Sequence, residues 1–340
     1  MTNENVALSF EDLHIQFTLR GQVLKAIRGI SLDVYRGESL AIVGESGSGK
    51  SVFTKSAMGL LDANGTIAGG HIWYDGRDLA QFKTEKEWLS VRGKEIAMVM
   101  QDPMTSLNPL KSVGDQILEA VLLHQGLKGA AAKAAAVDAL RAVGIDQPER
   151  RYKQYPHEFS GGMRQRVMIA IAFACDPKIL ICDEPTTALD VTIQGQILDI
   201  IKRLMKKNNT SVIMITHDLG VVANIAQEIA VMYSGIIVER GACRDVFYRP
   251  RHPYTWALLQ SVPRLDLENK QVLASIPGTP PDLLNPPVGC PFSTRCQYCM
   301  PVCKNRMPEN TDFGGGHSAA CWLHHPMAPK VDMPDRKGDV

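Results

Sequence analysis

Residues 39–43, 96–100, 178–182 and 211–216 each form an apolar run of strand length, and runs of this kind recur through the first two-thirds of the chain. Stretches with helical spacing lie between them. The spacing predicts a helix over residues 52–61, with Phe53, Ala57, Leu60 and Leu61 available for one face, and an apolar helix over residues 167–174. Residues 103–159 are rich in Ala and Leu, including 129–144, and have good helix propensity. Continuous apolar strands alternating with helices predict an α/β body with parallel strands covered by helices. From about Pro250 the texture changes: prolines are dense, amphipathic periodicity is weak and apolar runs are short. The pattern therefore divides the chain into a globular body, residues 1–249, and a small irregular appended domain, residues 250–340.

Composition sharpens this picture at a few points. The chain has 340 residues, 45% of them hydrophobic, enough for a sizeable core and more than one domain. Lys plus Arg (37) nearly cancels Asp plus Glu (36), so no basic excess points to nucleic acid. No unbroken stretch of about 18 apolar residues is present to span a membrane. The start carries Glu4 with no Lys or Arg and no apolar segment after it, unlike a secretion signal. A cytosolic location follows, in which the 8 cysteines would be reduced or metal-bound.

The first chemistry sits at the end of the first buried run. Gly44-Glu45-Ser46-Gly47-Ser48-Gly49-Lys50-Ser51 joins a strand to a helix in the GxxxxGK[ST] pattern. Small residues let backbone N–H groups turn inward around phosphate oxygens. Lys50 can reach the β- and γ-phosphates, and the Ser51 hydroxyl can ligate Mg²⁺. The run 178–182 ends in Asp183-Glu184: a carboxylate at the tip of a buried strand suits Mg²⁺, and the next can polarise an attacking water. Ser160-Gly161-Gly162 precedes the apolar helix, where a serine and two glycines make a second anion-binding element. Gln101 follows the run 96–100, and His217 follows the run 211–216.

In this order the sequence closely resembles the ABC transporter ATP-binding subunits. Walker A (residues 44–51), Q-loop (Gln101), signature (160–165), Walker B (179–184), D-loop (Ala188-Leu189-Asp190) and H-loop (His217) span most of the first 220 residues. The resemblance implies a P-loop NTPase core, a RecA-like mixed sheet with a helical subdomain at about 103–164. It implies ATP and Mg²⁺ as cofactors, with Ser51, Gln101 and Asp183 around the metal. By the same mapping Glu184 is the catalytic base, His217 contacts the γ-phosphate and Phe17 stacks on adenine; an aromatic on a first strand is equally a core residue. The family's dimer is head-to-tail, each subunit's signature Ser160, Gly161 and Gly162 meeting the nucleotide on its partner. Met163 and Cys182 depart from the family's usual glutamine and small residue without removing a catalytic group.

Tyr155-Pro-His-Glu-Phe159, Asp102-Pro-Met-Thr-Ser-Leu-Asn-Pro109 and His252-Pro-Tyr-Thr255 are similar to the oligopeptide/dipeptide importer ATPases. That likeness implies a second, non-identical ATPase subunit, two permeases and an extracytoplasmic peptide-binding protein as partners, at the cytoplasmic face of the membrane. The helical subdomain would receive a permease coupling helix. The tail matches too: Cys290, Cys296, Cys303 and Cys321 correspond to the family's iron–sulfur ligands, and thiolates suit such a cluster. Cys296-Gln-Tyr-Cys299 also suits a zinc knuckle that His317 or His324 could complete. The reading favours a [4Fe–4S] cluster over zinc or no metal, with Cys299 an extra thiol. Nickel or another small solute is the nearest alternative cargo. A soluble ABC protein acting on DNA or ribosomes is the alternative of a different class; the chain has one module, no long heptad run and no basic arm.

Overall fold

The structure is a computed structural model and describes residues 5–187, 189–261 and 276–331. The chain forms two compact units. One comprises Met1–Ala7, Val34–Ser39 and Phe82–Ile215; the other comprises Leu8–Asp33, Leu40–Gln81 and Thr216–Val340.

The unit built around Phe82–Ile215 has a parallel core of three apolar strands, Ile96–Val99, Ile179–Asp183 and Ser211–Thr216. Ile96 lies opposite Ile179, and Ile179 opposite Ser211, and the pairing continues without a register shift to Val99–Cys182 and Asp183–Ile215. Every residue of Ile179–Asp183 is buried, and with neighbours on both edges no polar backbone group there is left to water. The longer helices of this unit are Val113–His124, Gly129–Ala142, Gly161–Phe173 and Val191–Asn208. Three start on side-chain caps, where Ser112, Ser160 and Asp190 accept a backbone N–H from the third residue on. Gly129–Ala142 buries Ala132, Ala136 and Leu140, a single i, i+4, i+8 stripe. Gly161–Phe173 instead buries residues all round, from Gln165 to Phe173, as a core helix does.

The second unit carries two sheets. Val6–Leu19, Gln22–Tyr35, Gly65–Tyr74 and Arg77–Asp78 make a four-stranded sheet in which the first strand lies between the second and third. Ser39–Val43 pairs in parallel with Glu228–Tyr233, which pairs antiparallel with Ile236–Ala242. The C-terminal region continues this sheet: Ser318–Ala320 pairs with Ile236–Ala242, and Asn310–Asp312 pairs with Ser318–Ala320. Beside it, Val43, Val231 and Tyr233 share one hydrophobic cluster with Tyr254, Cys290, Phe292 and Cys303. The Tyr233, Tyr254 and Phe292 rings meet pairwise at 4.5–5.4 Å between centroids.

Glu239, on strand Ile236–Ala242, is a buried carboxylate with a complete set of partners. Its oxygens accept the backbone N–H groups of Arg251 (2.7 Å) and His252 (2.9 Å), and His317 Nε2 lies 2.8 Å from Oε1. Nearby, buried His252 caps helix Pro253–Gln260 by accepting the Tyr254 N–H at Nδ1, 3.0 Å away. That acceptor must be unprotonated, and burial pushes the imidazole pKa down to about 3 from 6.5. Below pH 6.5 the unfolded chain therefore takes up a proton that the folded chain refuses until about pH 3, so stability falls with pH across that window. The slope contributed is at most ~1.4 kcal/mol per pH unit. His252→Asn keeps a capping acceptor without the titration, so its urea midpoint should fall less steeply than the parent's between pH 6.5 and 5; equal slopes would remove His252 from the account.

Candidate functional site

The loop at residues 44–51 follows the wholly buried strand Ser39–Val43 and leads into helix Lys50–Ser56. The helix is shorter than its apolar spacing predicts: it begins at Lys50 and ends at Ser56, and Gly59 turns the chain away with φ 59°. Glycine is required at the loop's base. A Cβ on Gly44 would lie 2.1 Å from the Met232 carbonyl oxygen of the neighbouring strand. Gly49 has φ 101° and would press a Cβ to 3.0 Å from the Ala26 carbonyl oxygen, whereas Gly47 (φ 78°) faces open space. Lys50 is buried to 5% exposure, and its ammonium donates to the carbonyls of Gly44 (2.8 Å) and Glu45 (2.9 Å). A positive charge is thus held across the base of the loop while Ser46 and Gly47 stay exposed. The Ser48 hydroxyl is buried with no hydrogen-bond partner among the described residues. A caged ammonium, an orphaned hydroxyl and glycines with no room for side chains fit a phosphate chain.

Phe17 and His217 belong to the same unit. Phe17 is half-buried on the first strand, opposite Gly65 in the register. Its ring crosses Gly65 so closely that a Cβ there would sit 2.6 Å from Phe17 Cε1. The ring therefore packs against the Gly65 backbone, where it is only partly buried. His217 is exposed directly after strand Ser211–Thr216, where Asp218 N–H bonds Thr216 Oγ1 at 3.0 Å and Asp218 caps helix Leu219–Ile225.

In the other unit, strand Ile179–Asp183 ends on buried Asp183, and Glu184 follows in the left-handed region with φ 47°. For a residue with a side chain this costs about 1–3 kcal/mol. The Glu184 N–H is tied to the Ile215 carbonyl at 2.9 Å, which fixes the turn. Its carboxylate Oε2 accepts from Gln101 Nε2 (3.1 Å) and from Thr187 Oγ1 (2.9 Å). Gln101 and Glu184, 83 positions apart in sequence, are thereby brought into direct contact. Thr187 escaped sequence reasoning; its placement three residues after Glu184, on a turn closed by Thr187 N–H to Glu184 O (3.2 Å), was the available signal.

The signature segment lies in this unit as well. Exposed Ser160 is the N-cap of helix Gly161–Phe173, its hydroxyl accepting the Met163 N–H at a long 3.4 Å. A Cβ on Gly162 would come within 2.6 Å of Ile193 Cγ2, so a side chain there would have to displace Ile193. Of the D-loop, Ala188 lies outside the described residues; Asp190 caps helix Val191–Asn208.

The tail thiols come together without a preformed metal geometry. Cys290 N–H donates to the Cys303 carbonyl at 2.8 Å, and a Cβ on Gly289 would lie 2.2 Å from that same carbonyl. Cys290 and Cys303 are buried in one cluster, with Cys296 and Cys299 packed against it. Burial raises the thiol pKa of Cys290 to about 12, of Cys296 to about 11 and of Cys321 to about 12. A smaller contribution to Cys321 comes from Cys290, Cys296 and Cys303, so these four are electrostatic neighbours. Among the described residues, however, no group of three or more His, Cys, Asp or Glu side chains stands ready to hold a metal ion. The two histidines considered as zinc partners are engaged elsewhere: His317 Nε2 is at Glu239, and His324 Nε2 is 2.8 Å from the Arg251 carbonyl.

With this geometry in place, comparison with known proteins is direct. Residues 27–187 match the ABC transporter family, and residues 238–303 match the family described as oligopeptide/dipeptide transporter, C-terminal region. The chain is 52% identical to the oligopeptide transport ATP-binding protein AmiE of Streptococcus pneumoniae, over 98% of this chain and 94% of that protein. It is also 52% identical to the dipeptide transport ATP-binding protein DppD of Bacillus subtilis, over 94% of this chain and 96% of that protein. In fold it is similar to a dimeric ATP-binding cassette solved in a post-hydrolysis state with ADP and Pi, with a TM-score of 0.62 and 24% identity over 70% of this chain and 99% of that one. No helix among the described residues is long and apolar enough to cross a membrane. An ATP-hydrolysing cassette that carries the oligopeptide/dipeptide C-terminal region, and that shares half its residues with such proteins over nearly its full length, belongs to the family of oligopeptide and dipeptide transport ATP-binding proteins of ABC transporters.

Proposed function

We propose that this chain hydrolyses ATP to drive uptake of oligopeptides or dipeptides, working at the cytoplasmic face of the membrane against two permeases, beside a second homologous ATPase subunit and with an extracytoplasmic peptide-binding protein. The observation that carries the peptide reading is the C-terminal region at residues 238–303, matched together with the cassette rather than apart from it. In this reading residues 1–249 are the ATP-binding domain, with about 103–164 its helical subdomain, and residues 250–340 are the C-terminal domain. The solved cassette of like fold is a dimer, which supports a paired arrangement here.

The roles of the residues follow from their chemistry. Lys50, already held between two carbonyls, offers its charge to the β- and γ-phosphates. Loop N–H groups of residues 44–51 bind the phosphate oxygens, and Phe17 stacks on adenine. Ser51, Gln101 and Asp183 would hold Mg²⁺, which when bound offsets charge on the bridging and terminal phosphates. Glu184 accepts the proton of the attacking water, with Gln101 and Thr187 fixing its carboxylate. His217 contacts the γ-phosphate. Ser160, Gly161 and Gly162 present a capped helix start to the nucleotide on the partner subunit.

The test is reconstitution of the chain with its permeases, partner subunit and binding protein in vesicles. Peptide should stimulate phosphate release several-fold, whereas nickel salts should not; stimulation by nickel alone would overturn the peptide reading.

For the tail, the same proposal includes a [4Fe–4S] cluster on Cys290, Cys296, Cys303 and Cys321, supported by their shared neighbourhood and all-thiol composition. Anaerobically purified protein should contain about four irons and four sulfides per chain and absorb as a brown chromophore. One tightly held zinc without that colour would replace the cluster by zinc.

A further inference from the structure

Arg295 lies between Cys290 and Cys296, in the region farthest in sequence from the phosphate loop. Its side chain is only 3% exposed, an unusual place for a guanidinium unless each donor is met. Here each is met. Nη1 donates to Glu45 Oε2 (2.6 Å) and to the Tyr233 hydroxyl (3.2 Å). Nη2 donates to Glu45 Oε1 (2.9 Å) and to the Ile276 carbonyl (3.2 Å), and Nε to the Pro277 carbonyl (2.8 Å). The five N–H bonds of the fork are thus all used, two of them in a bidentate grip on one carboxylate. The guanidinium carbon stands 5.8 Å from the Tyr233 ring centre and 6.0 Å from that of Phe292.

The gripped residue is the second of the phosphate loop. Glu45 is also held by its backbone, because its N–H donates to the buried Tyr254 hydroxyl at 2.8 Å. Burial raises the Tyr254 pKa, so that hydroxyl stays protonated at any physiological pH. The single Glu45 carbonyl oxygen accepts from both Lys50 Nζ (2.9 Å) and the Ser48 N–H (3.2 Å). Its side chain and amide are therefore tethered to residues beyond 250, while its carbonyl orients the loop's cation. The GxxxxGK pattern leaves this position free to vary, so phosphate binding alone does not call for an acid there.

We propose that Arg295 is a positioning residue for ATP: through Glu45, and with Tyr254, it sets the shape of the phosphate loop and the reach of Lys50, making the C-terminal region a structural part of the nucleotide site. The inference rests on residues 44–51 being the phosphate loop. It involves no contact between Arg295 and the nucleotide.

The experiment is equilibrium binding of ATP and Mg²⁺ to the full chain, with Arg295→Ala, Arg295→Lys, Glu45→Gln, Glu45→Ala and the double Glu45→Ala/Arg295→Ala, and Lys50→Ala as the reference for the site itself. Arg295→Ala and Glu45→Ala should each weaken ATP by about tenfold, and the double variant should be no worse than the weaker single, because both remove one interaction. Arg295→Lys should recover part of the loss, keeping charge without the fork. Glu45→Gln keeps the loop's size and should fold even where Arg295→Ala does not; it should lose affinity in the same direction. Binding within about twofold of the parent in folded Arg295→Ala or Glu45→Gln, or losses that multiply in the double variant, would overturn the proposal. If Lys50→Ala also binds ATP normally, the phosphate-loop reading fails instead.

Discussion

Glu184→Gln should lower ATP hydrolysis by the assembled transporter by about 10²- to 10³-fold while leaving ATP bound. The side chains are the same size, and the amide oxygen can still accept from Gln101 Nε2 and Thr187 Oγ1, as the carboxylate does at 3.1 and 2.9 Å. The strained turn is also kept, since φ 47° at position 184 is fixed by the Glu184 N–H to Ile215 bond and not by the carboxylate. What disappears is the ability to take a proton from water at neutral pH. The signature is thus a split result: phosphate release nearly gone, nucleotide retained after gel filtration. Hydrolysis near the parental rate would assign the base to another group, and loss of ATP binding along with it would show that the carboxylate serves the nucleotide's ground state.

The second large effect belongs to the opposite class of failure. Lys50→Ala should weaken ATP binding by about 10²-fold, because a charge-assisted contact to phosphate from a buried ammonium is removed. It also strips a donor from two carbonyls, those of Gly44 and Glu45, which now share one ammonium. Arginine should not rescue the loss: Lys50 is buried beside Gly44, whose base already lies against the Met232 carbonyl, and a planar fork has no room to turn there. Titration of the full chain with ATP separates the two variants cleanly. The Glu184 substitution leaves affinity intact and stops turnover, whereas the Lys50 substitution removes affinity first. A Lys50→Ala protein that binds ATP as tightly as its parent would move the phosphate site away from residues 44–51.

Where the physics is local, these groups were legible in the chain. Continuous apolar runs marked Ser39–Val43, Ile179–Asp183 and Ser211–Thr216, because parallel strands buried on both faces need no polar alternation. The glycines, Lys50 and the acidic pair stand at ends of those runs, so their places followed from the strands. Boundaries were less exact: the helix after the loop spans Lys50–Ser56 instead of 52–61, since Gly59 interrupts an apolar pattern that by spacing alone continues. Contacts of long range were invisible. Arg295 and Glu45 are 250 positions apart and no periodicity records their meeting. Ser318–Ala320 is too short and too plain in composition to announce a strand; it exists because the edge of Ile236–Ala242 offers it a ladder. His317 and His324, attractive as metal ligands by proximity in sequence, turned out to serve a carboxylate and a carbonyl.

That borrowed edge bears on how freely the C-terminal region could pass between proteins. Glu239 sits at 1% exposure, and its partners Arg251, His252 and His317 all lie beyond it in the chain. A cassette trimmed at residue 249 would keep the carboxylate, lose all three of its partners and bare a strand edge to other chains. Conversely, the same segment grafted onto a cassette with an apolar residue at the equivalent place would bring a buried histidine with nothing to bind. A boundary drawn at residue 249 therefore parts a carboxylate from every one of these three partners, so the working unit of exchange is cassette and tail together.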